Sequence, residues 1–182
     1  MLTKKQGAAL LGIARNSLKC AFDGKPYPSE KSKDFNGKTG AFVTLYHGKE
    51  LRGCIGFIKS DLPLWKSVSE AARLSAFEDL RFPPLRKEEL KDLSFEISVL
   101  SKPELIKAGE DIVKSVKVGK DGLIMEHSGH SGLLLPQVAN DYGWDSEEFL
   151  EQTCVKAGLS RGAWKERGAK IYRFQAQVFS EK

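Results

Sequence analysis

The strongest structural signal in this 182-residue chain lies in Ala41-Phe-Val-Thr-Leu-Tyr-His-Gly-Lys-Glu-Leu-Arg-Gly-Cys-Ile-Gly-Phe-Ile58. Both ends of the stretch are rich in apolar and aromatic residues, and His47-Gly-Lys-Glu50 between them has the composition of a turn. The pattern predicts a β-hairpin of strands 41–46 and 51–58. Helices follow without a regular strand–helix alternation, so the sequence predicts an α+β fold with a mainly antiparallel sheet and flanking helices.

Helices and further strands are predicted on both sides of the hairpin. The capping box Thr3-Lys-Lys-Gln6 begins a helix that Asp23-Gly24 ends, and Ser60-Asp-Leu-Pro63 begins another that runs to about Leu80. The other predicted elements are a long loop at 25–40, a helical turn at 87–90, a helix between 145 and 158, and strands at 94–100, 116–118, 123–126, 133–135 and 171–179. The length predicts a single domain over residues 1–182.

Composition favours a folded protein of the cytoplasm. The chain is 41% hydrophobic and 29% charged, which is typical of a protein with a packed core. It contains no apolar run of the roughly 18 residues that a membrane span requires, and its N-terminus lacks the pattern of a signal peptide. Three scattered cysteines do not make a disulfide framework, so we expect reduced thiols, a cytoplasmic location and no membrane association.

The basic charge is concentrated near the N-terminus. Residues 1–33 hold seven cations and two anions, which accounts for the whole net charge of +5, and residues 34–182 balance. A surface that follows nucleic-acid phosphates would spread Lys and Arg over the working face of the domain. A solvated helix face is therefore the favoured interpretation, and nucleic-acid binding is a weaker hypothesis.

The second strand of the hairpin contains the side chains that are best suited to bind a ligand or to react. Alternation places Arg52 and Cys54 on one face, about 7 Å apart by strand geometry. Arg52 could bind a carboxylate or phosphate and lower the pKa of the Cys54 thiol. Gly53 and Gly56 flank the cysteine, and glycine within a strand often marks the close approach of a ligand or of another backbone. The alternative is a buried, inert Cys54 with Arg52 paired to a structural carboxylate.

Three further charged residues join this hypothesis. Glu96 lies within an otherwise apolar strand, so it either forms an ion pair, for which Arg52 is one candidate, or acts as a catalytic base. Asp79 and Arg81 lie at a helix end, where a local salt bridge and an anion-binding role are both open. We expect Arg52, Cys54 and Glu96 to border one depression, with Gly53, Gly56, Asp79 and Arg81 at its rim.

Other motifs give little support for a metal or cofactor. His127 and His130 lie in a Ser/Gly loop without a third ligand nearby, which makes a metal site a weak hypothesis. Phosphate-binding loops, zinc-protease motifs, nucleophile elbows and CxxC pairs are absent from the sequence. We therefore predict no cofactor and no metal.

The hexapeptide Leu51-Arg-Gly-Cys-Ile-Gly56 resembles the signature of the AMMECR family. The resemblance extends in order over roughly residues 3–181. The blocks that carry it are Gly40–Leu45, Ala76–Pro83, Phe95–Leu100, Leu133–Val138, Trp144 and Cys154–Gly158. One departure is Leu80, which stands where the family pattern has proline.

The resemblance implies an α+β domain with two lobes around a cleft near the signature strand, and it implies Memo-type and radical-SAM proteins as partners. It implies no particular reaction. Our leading hypothesis is a cysteine-centred enzyme or catalytic accessory for a small anionic or nucleotide-like substrate. Arg52 would bind the anion, Cys54 would be the nucleophile and Glu96 would transfer protons. A noncatalytic binding or scaffold module is the alternative, and whether the protein is an enzyme stays open.

Overall fold

The computed structural model describes residues 2–27, 34–107 and 111–181. The helices are α1 (Lys4–Phe22), α2 (Leu64–Phe77), α3 (Ile112–Ser115), α4 (Pro136–Tyr142) and α5 (Ser146–Lys156). The strands are β1 (Ala41–His47), β2 (Glu50–Phe57), β3 (Leu93–Leu100), β4 (Glu104–Leu105), β5 (Asp121–His127), β6 (His130–Leu134) and β7 (Lys170–Ser180). Two short 3-10 helices cover Lys87–Lys91 and Arg161–Lys165.

The chain forms two compact units, and the predicted α+β class with antiparallel strands is confirmed. Unit 1 comprises Met1–Leu100 and Gln177–Lys182, and unit 2 comprises Ser101–Ala176. Each unit has its own hydrophobic cluster. The predicted single domain and the predicted cleft stay predictions.

Unit 1 is a helix-covered sheet in which β1 pairs with β2 on one side and with β3 on the other. Alternation buries Val43, Leu45, Phe95 and Ile97 on one face of these strands, where they join apolar residues of α1 and α2 in the core. The sequence explains α1 well, because both hydrogen bonds of the predicted capping box at Thr3 are present. The predicted hairpin of β1 and β2 is confirmed.

Unit 2 is a second antiparallel arrangement in which β5 lies between β6 and β7, and β4 pairs with β7. α5 covers this sheet, and Phe149, Leu150 and Cys154 on the helix are fully buried in its core. Cys154 therefore serves as a core residue of this unit. The predicted helix between 145 and 158 is present as α5, and Asp145 caps it, since its side chain accepts a hydrogen bond from the Glu148 amide.

Several predicted boundaries are wrong for identifiable reasons. Val116 and its neighbours form no strand, because the Lys117 amide donates to the Asp121 carboxylate at 2.9 Å and a turn follows at Gly119, whose φ is +78°. α2 ends at Phe77 rather than near Leu80, since the chain turns at Asp79. β4 and α4 were not predicted. The predicted loop at 25–40 is partly outside the described residues, which exclude 28–33.

Candidate functional site

A polar row crosses the three strands of unit 1. Thr44 on β1 pairs with Cys54 on β2 and with Glu96 on β3. Directly paired residues of antiparallel strands share a face, so these three side chains lie opposite the face that carries Val43 and Leu45 into the core. We call Cys54, Thr44 and Glu96 the thiol row.

The surroundings of the Cys54 thiol favour its neutral form over the thiolate. Its Sγ lies 3.2 Å from the Oγ1 of Thr44. Burial is the largest influence and raises the pKa of the Cys54 thiol, and the carboxylates of Asp79 and Glu96 raise it further against the opposing effects of Thr44 and Arg81. The expectation that Arg52 lowers this pKa is wrong, since the cation that acts on the thiol is Arg81.

Asp79 and Arg81 form a clamp on the backbone of Cys54. The Cys54 amide donates to Asp79 Oδ2 at 2.9 Å, and Arg81 Nη2 donates to the Cys54 carbonyl at 3.3 Å. Arg81 also donates from Nε to Asp79 Oδ1 at 2.9 Å and from Nη2 to Asp79 Oδ2 at 2.6 Å. We call this arrangement the Asp79–Arg81 clamp.

The two side chains of the clamp differ in exposure. The Asp79 side chain is 6% exposed, whereas the Arg81 side chain is 54% exposed. The hydrogen bonds from Arg81, together with the Cys54 amide, lower the pKa of Asp79 to about 2. The Asp79 side chain is therefore a buried carboxylate that stays ionised at neutral pH, and the Arg81 guanidinium that binds it faces solvent.

Arg52 occupies an irregular position on β2. Leu51 pairs with Tyr46 and Gly53 with Leu45, so Arg52 is the extra residue of a β-bulge. The two-residue alternation is interrupted there, so alternation alone does not place Arg52 beside Cys54, and that placement stays a prediction.

The guanidinium of Arg52 is bound by Glu89 of the Lys87–Lys91 helix. Nε donates to Oε1 at 2.9 Å and Nη2 to Oε2 at 3.4 Å, and the Arg52 side chain is 13% exposed. These bonds lower the pKa of Glu89 to about 2. Nη1 of Arg52 is buried and has no hydrogen-bond partner among the described residues. The suggested pair of Arg52 with Glu96 stays a prediction.

Gly53 and Gly56 are required by packing rather than by space for a ligand. A Cβ at Gly53 would collide with the backbone carbonyl of Ser75 on α2. A Cβ at Gly56 would collide with the backbone of Ala41 and with Phe42. Of the two alternatives that the sequence leaves open for these glycines, the close approach of another backbone is the one observed.

The structure thus brings Cys54, Asp79 and Arg81 into direct contact and aligns Glu96 with them through Thr44. Thr44 carries no signal of its own in the sequence, although its place opposite Cys54 follows from the register of the hairpin. Glu89 carried no comparable signal, because only tertiary packing brings the Lys87–Lys91 helix to β2.

Other candidates have structural partners. Arg15 of the basic N-terminal segment donates to Glu181 and to the carbonyls of Leu90 and Leu93, so it serves the fold. His127 lies 3.0 Å from Glu166. Within residues 2–27, 34–107 and 111–181, no group of three His, Cys, Asp or Glu side chains is arranged to hold a metal. No helix of the same ranges is long and apolar enough to cross a membrane.

Comparison with known proteins shows the class to which this fold and signature strand belong. The AMMECR1 family model matches residues 11–179. The chain belongs to the AMMECR1 family.

Individual relatives match over nearly their whole length. Protein MJ0810 of Methanocaldococcus jannaschii is 44% identical over 100% of this chain and 92% of its own. Protein NEQ441 of Nanoarchaeum equitans is 42% identical over 94% of this chain and 98% of its own. The crystal structure of an uncharacterised protein, PH0010 from Pyrococcus horikoshii, superposes with a TM-score of 0.93 at 42% identity, covering 100% of this chain and 94% of that one.

Proposed function

We propose that the protein is a noncatalytic binding module that holds a small anionic ligand at Arg81, next to the thiol row. The observation that carries the proposal is the exposed guanidinium of Arg81, which the clamp fixes on β2. A guanidinium held in place loses little conformational freedom when it binds an anion. Among the described residues its Nη1 makes no hydrogen bond, so this donor is available to a ligand.

The thiol row supports binding rather than covalent catalysis. A nucleophilic cysteine acts as the thiolate, and burial together with two carboxylates opposes formation of that anion at Cys54. A neutral thiol and a threonine hydroxyl can still contact a ligand as weak polar groups. In this proposal the module presents its ligand to Memo-type and radical-SAM enzymes, the partners that the family resemblance implies.

Binding of two simple anions tests the proposal. Inorganic phosphate and adenosine monophosphate are titrated into the protein while amide resonances are followed by NMR. We expect the amides of residues 79–82 and of Cys54 to shift, and Arg81→Gln to weaken binding by about tenfold or more, the factor of a charge-assisted hydrogen bond.

The matched control is Arg73→Gln, which removes another exposed arginine, on α2. This variant should bind both anions as the unaltered protein does. Equal affinity of Arg81→Gln and the unaltered protein would exclude Arg81 as the anion site and remove the proposal.

A cysteine enzyme is the second candidate, and one observation favours it. Glu96 stands in the same row as Cys54, and its charge acts on the thiol. Glu96 could therefore accept the thiol proton when a substrate is bound. Alkylation by iodoacetamide at pH 7 separates the two candidates. The binding module predicts slower modification of Cys54 than of an unstructured thiol, and the enzyme predicts that Cys54 reacts much faster than Cys20 and Cys154.

A further inference from the structure

Two aromatic rings of unit 2 stack where α4 ends. Gly143 has a φ of +66° and donates to the Asn140 carbonyl, and the Trp144 amide donates to the Ala139 carbonyl at 2.9 Å. This left-handed cap reverses the chain so that residues on either side of the glycine meet. The rings of Tyr142 and Trp144 stack with centroids 4.8 Å apart and planes inclined by 13°.

The ring pair is fixed on one side and open on the other. Trp144 packs against the core of unit 2, and the next residue, Asp145, caps α5 with a 2.9 Å bond from the Glu148 amide. Tyr142 is 70% exposed. The exposed ring of Tyr142 thus stacks on a ring that the core holds in place. Binding of a flat group to Tyr142 would therefore require little ordering of the protein.

The sequence around the ring pair is acidic. Residues 136–155 contain five carboxylates and no Lys or Arg. Three of the carboxylates, Glu147, Glu148 and Glu151, form ion pairs with Lys165 or Arg161. Within the part of the chain that the structure describes, the other two, Asp141 and Asp145, have no ion pair. They flank the ring pair in sequence.

We propose that the Tyr142–Trp144 platform binds the guanidinium of an arginine side chain in a partner protein. A guanidinium is planar, stacks on aromatic faces and pairs with carboxylates in a bidentate manner. A phosphate-bearing ring would stack equally well but would be repelled by Asp141 and Asp145. The same unit already contains a cation over an aromatic ring, since Lys165 Nζ lies 4.6 Å from the centroid of Trp164.

Short blocked peptides of equal charge test this site. Gly-Arg-Gly and Gly-Lys-Gly with capped ends are titrated into the full chain, and the amide resonances of residues 141–146 and the indole N–H of Trp144 are followed by NMR. We expect the arginine peptide to shift these resonances and to bind more tightly than the lysine peptide. Tyr142→Ala should weaken its binding by about two- to fivefold, the factor of an exposed cation–π contact.

Two variants make the outcome decisive. Tyr142→Phe keeps the ring and should bind as the unaltered protein does, while Asp141→Asn should weaken binding of the arginine peptide. The proposal is overturned if the two peptides bind equally and Tyr142→Ala changes neither affinity, if adenosine monophosphate binds the platform more tightly than the arginine peptide, or if the resonances do not shift. Because Tyr142 is exposed, loss of folding does not confuse the result.

Discussion

Strand β2 interacts with two arginine–carboxylate pairs that differ in how far the arginine is exposed to solvent. Arg52 and Glu89 are both largely buried, with side-chain exposures of 13% and 19%. In the pair of Asp79 and Arg81 the carboxylate is buried and the guanidinium is half exposed. Both carboxylates have a pKa of about 2, in each case chiefly because an arginine side chain donates hydrogen bonds to the carboxylate.

Exposure, rather than charge or position in the motif, separates the two arginines. Arg52 belongs to the signature hexapeptide, yet Glu89 binds two of its nitrogens and the third is buried. Arg81 lies outside the hexapeptide and is held with its guanidinium open to solvent. These exposures support the proposal that Arg52 has a structural role and that Arg81 binds the ligand.

The largest expected effect is the loss of the buried pair. Glu89→Gln leaves the Arg52 charge without its carboxylate in a largely buried position. We expect the free energy of unfolding to fall by about 2–4 kcal/mol, slightly less than for a fully buried pair. Urea denaturation followed by circular dichroism measures the change.

The control for this variant is Glu88→Gln, which alters an exposed neighbour on the same 3-10 helix and should change stability by less than about 0.5 kcal/mol. Similar stabilities of the Glu88 and Glu89 variants would contradict the structural role of Arg52.

Replacement of Gly53, which lies between Arg52 and Cys54 in the sequence, should give the next largest loss of stability. Gly53→Ala forces a methyl group against the Ser75 carbonyl, and because that atom is backbone, α2 or β2 must shift. We expect a loss of about 1–3 kcal/mol. Gly12→Ala is the opposite case, since Gly12 lies in α1 with no atom near the added methyl. It should stabilise the protein by up to about 1 kcal/mol. A tolerated Gly53→Ala would contradict the close approach of α2 to β2.

The two carboxylates that pair with an arginine, Asp79 and Glu89, predict that stability depends on pH. Their folded-state pKa values, about 2, lie below the unfolded values of roughly 4. The stability they contribute is therefore present above about pH 4.5 and is lost as the pH falls toward about 2. Asp79→Asn removes one of these groups, so its stability should decline less steeply over this interval, by a total of about 1–2 kcal/mol.

A matched measurement on Asp61→Asn, which alters an exposed carboxylate near the start of α2, controls for the loss of one negative charge. If Asp79→Asn and the unaltered protein lose stability in parallel over this interval, the low pKa of Asp79 is wrong.

The sequence predicted those features that depend on local patterns. Hairpin composition located β1 and β2, and the capping signals located α1 and the start of α5. It failed where tertiary contacts decide. The bulge at Arg52 and the pairing with Glu89 depend on packing between distant segments.

The thiol row could be predicted only in part from the sequence. Cys54 and Glu96 were each visible as unusual residues within strands, and the hairpin register could have identified Thr44. Their alignment in one row requires β3 to pair with β1 in a single register, which short-range patterns do not specify.

The smallest expected effect concerns the thiol itself. Thr44→Val keeps the shape of the side chain and removes the hydroxyl that lies 3.2 Å from the Cys54 sulfur. That hydroxyl lowers the pKa of the thiol, so its loss should raise the pKa further and slow alkylation of Cys54 at a fixed pH. Stability should fall by about 0.5–1.5 kcal/mol, the net value of one hydrogen bond.

Thr153→Val is the matched control, because the Thr153 hydroxyl is also buried and donates to the Phe149 carbonyl within α5. It should reduce stability and leave the alkylation rate of Cys54 unchanged. Faster alkylation in Thr44→Val would mean that the hydroxyl shields the sulfur rather than stabilising its thiolate. The candidate enzyme with Cys54 as nucleophile would then regain support over the binding module.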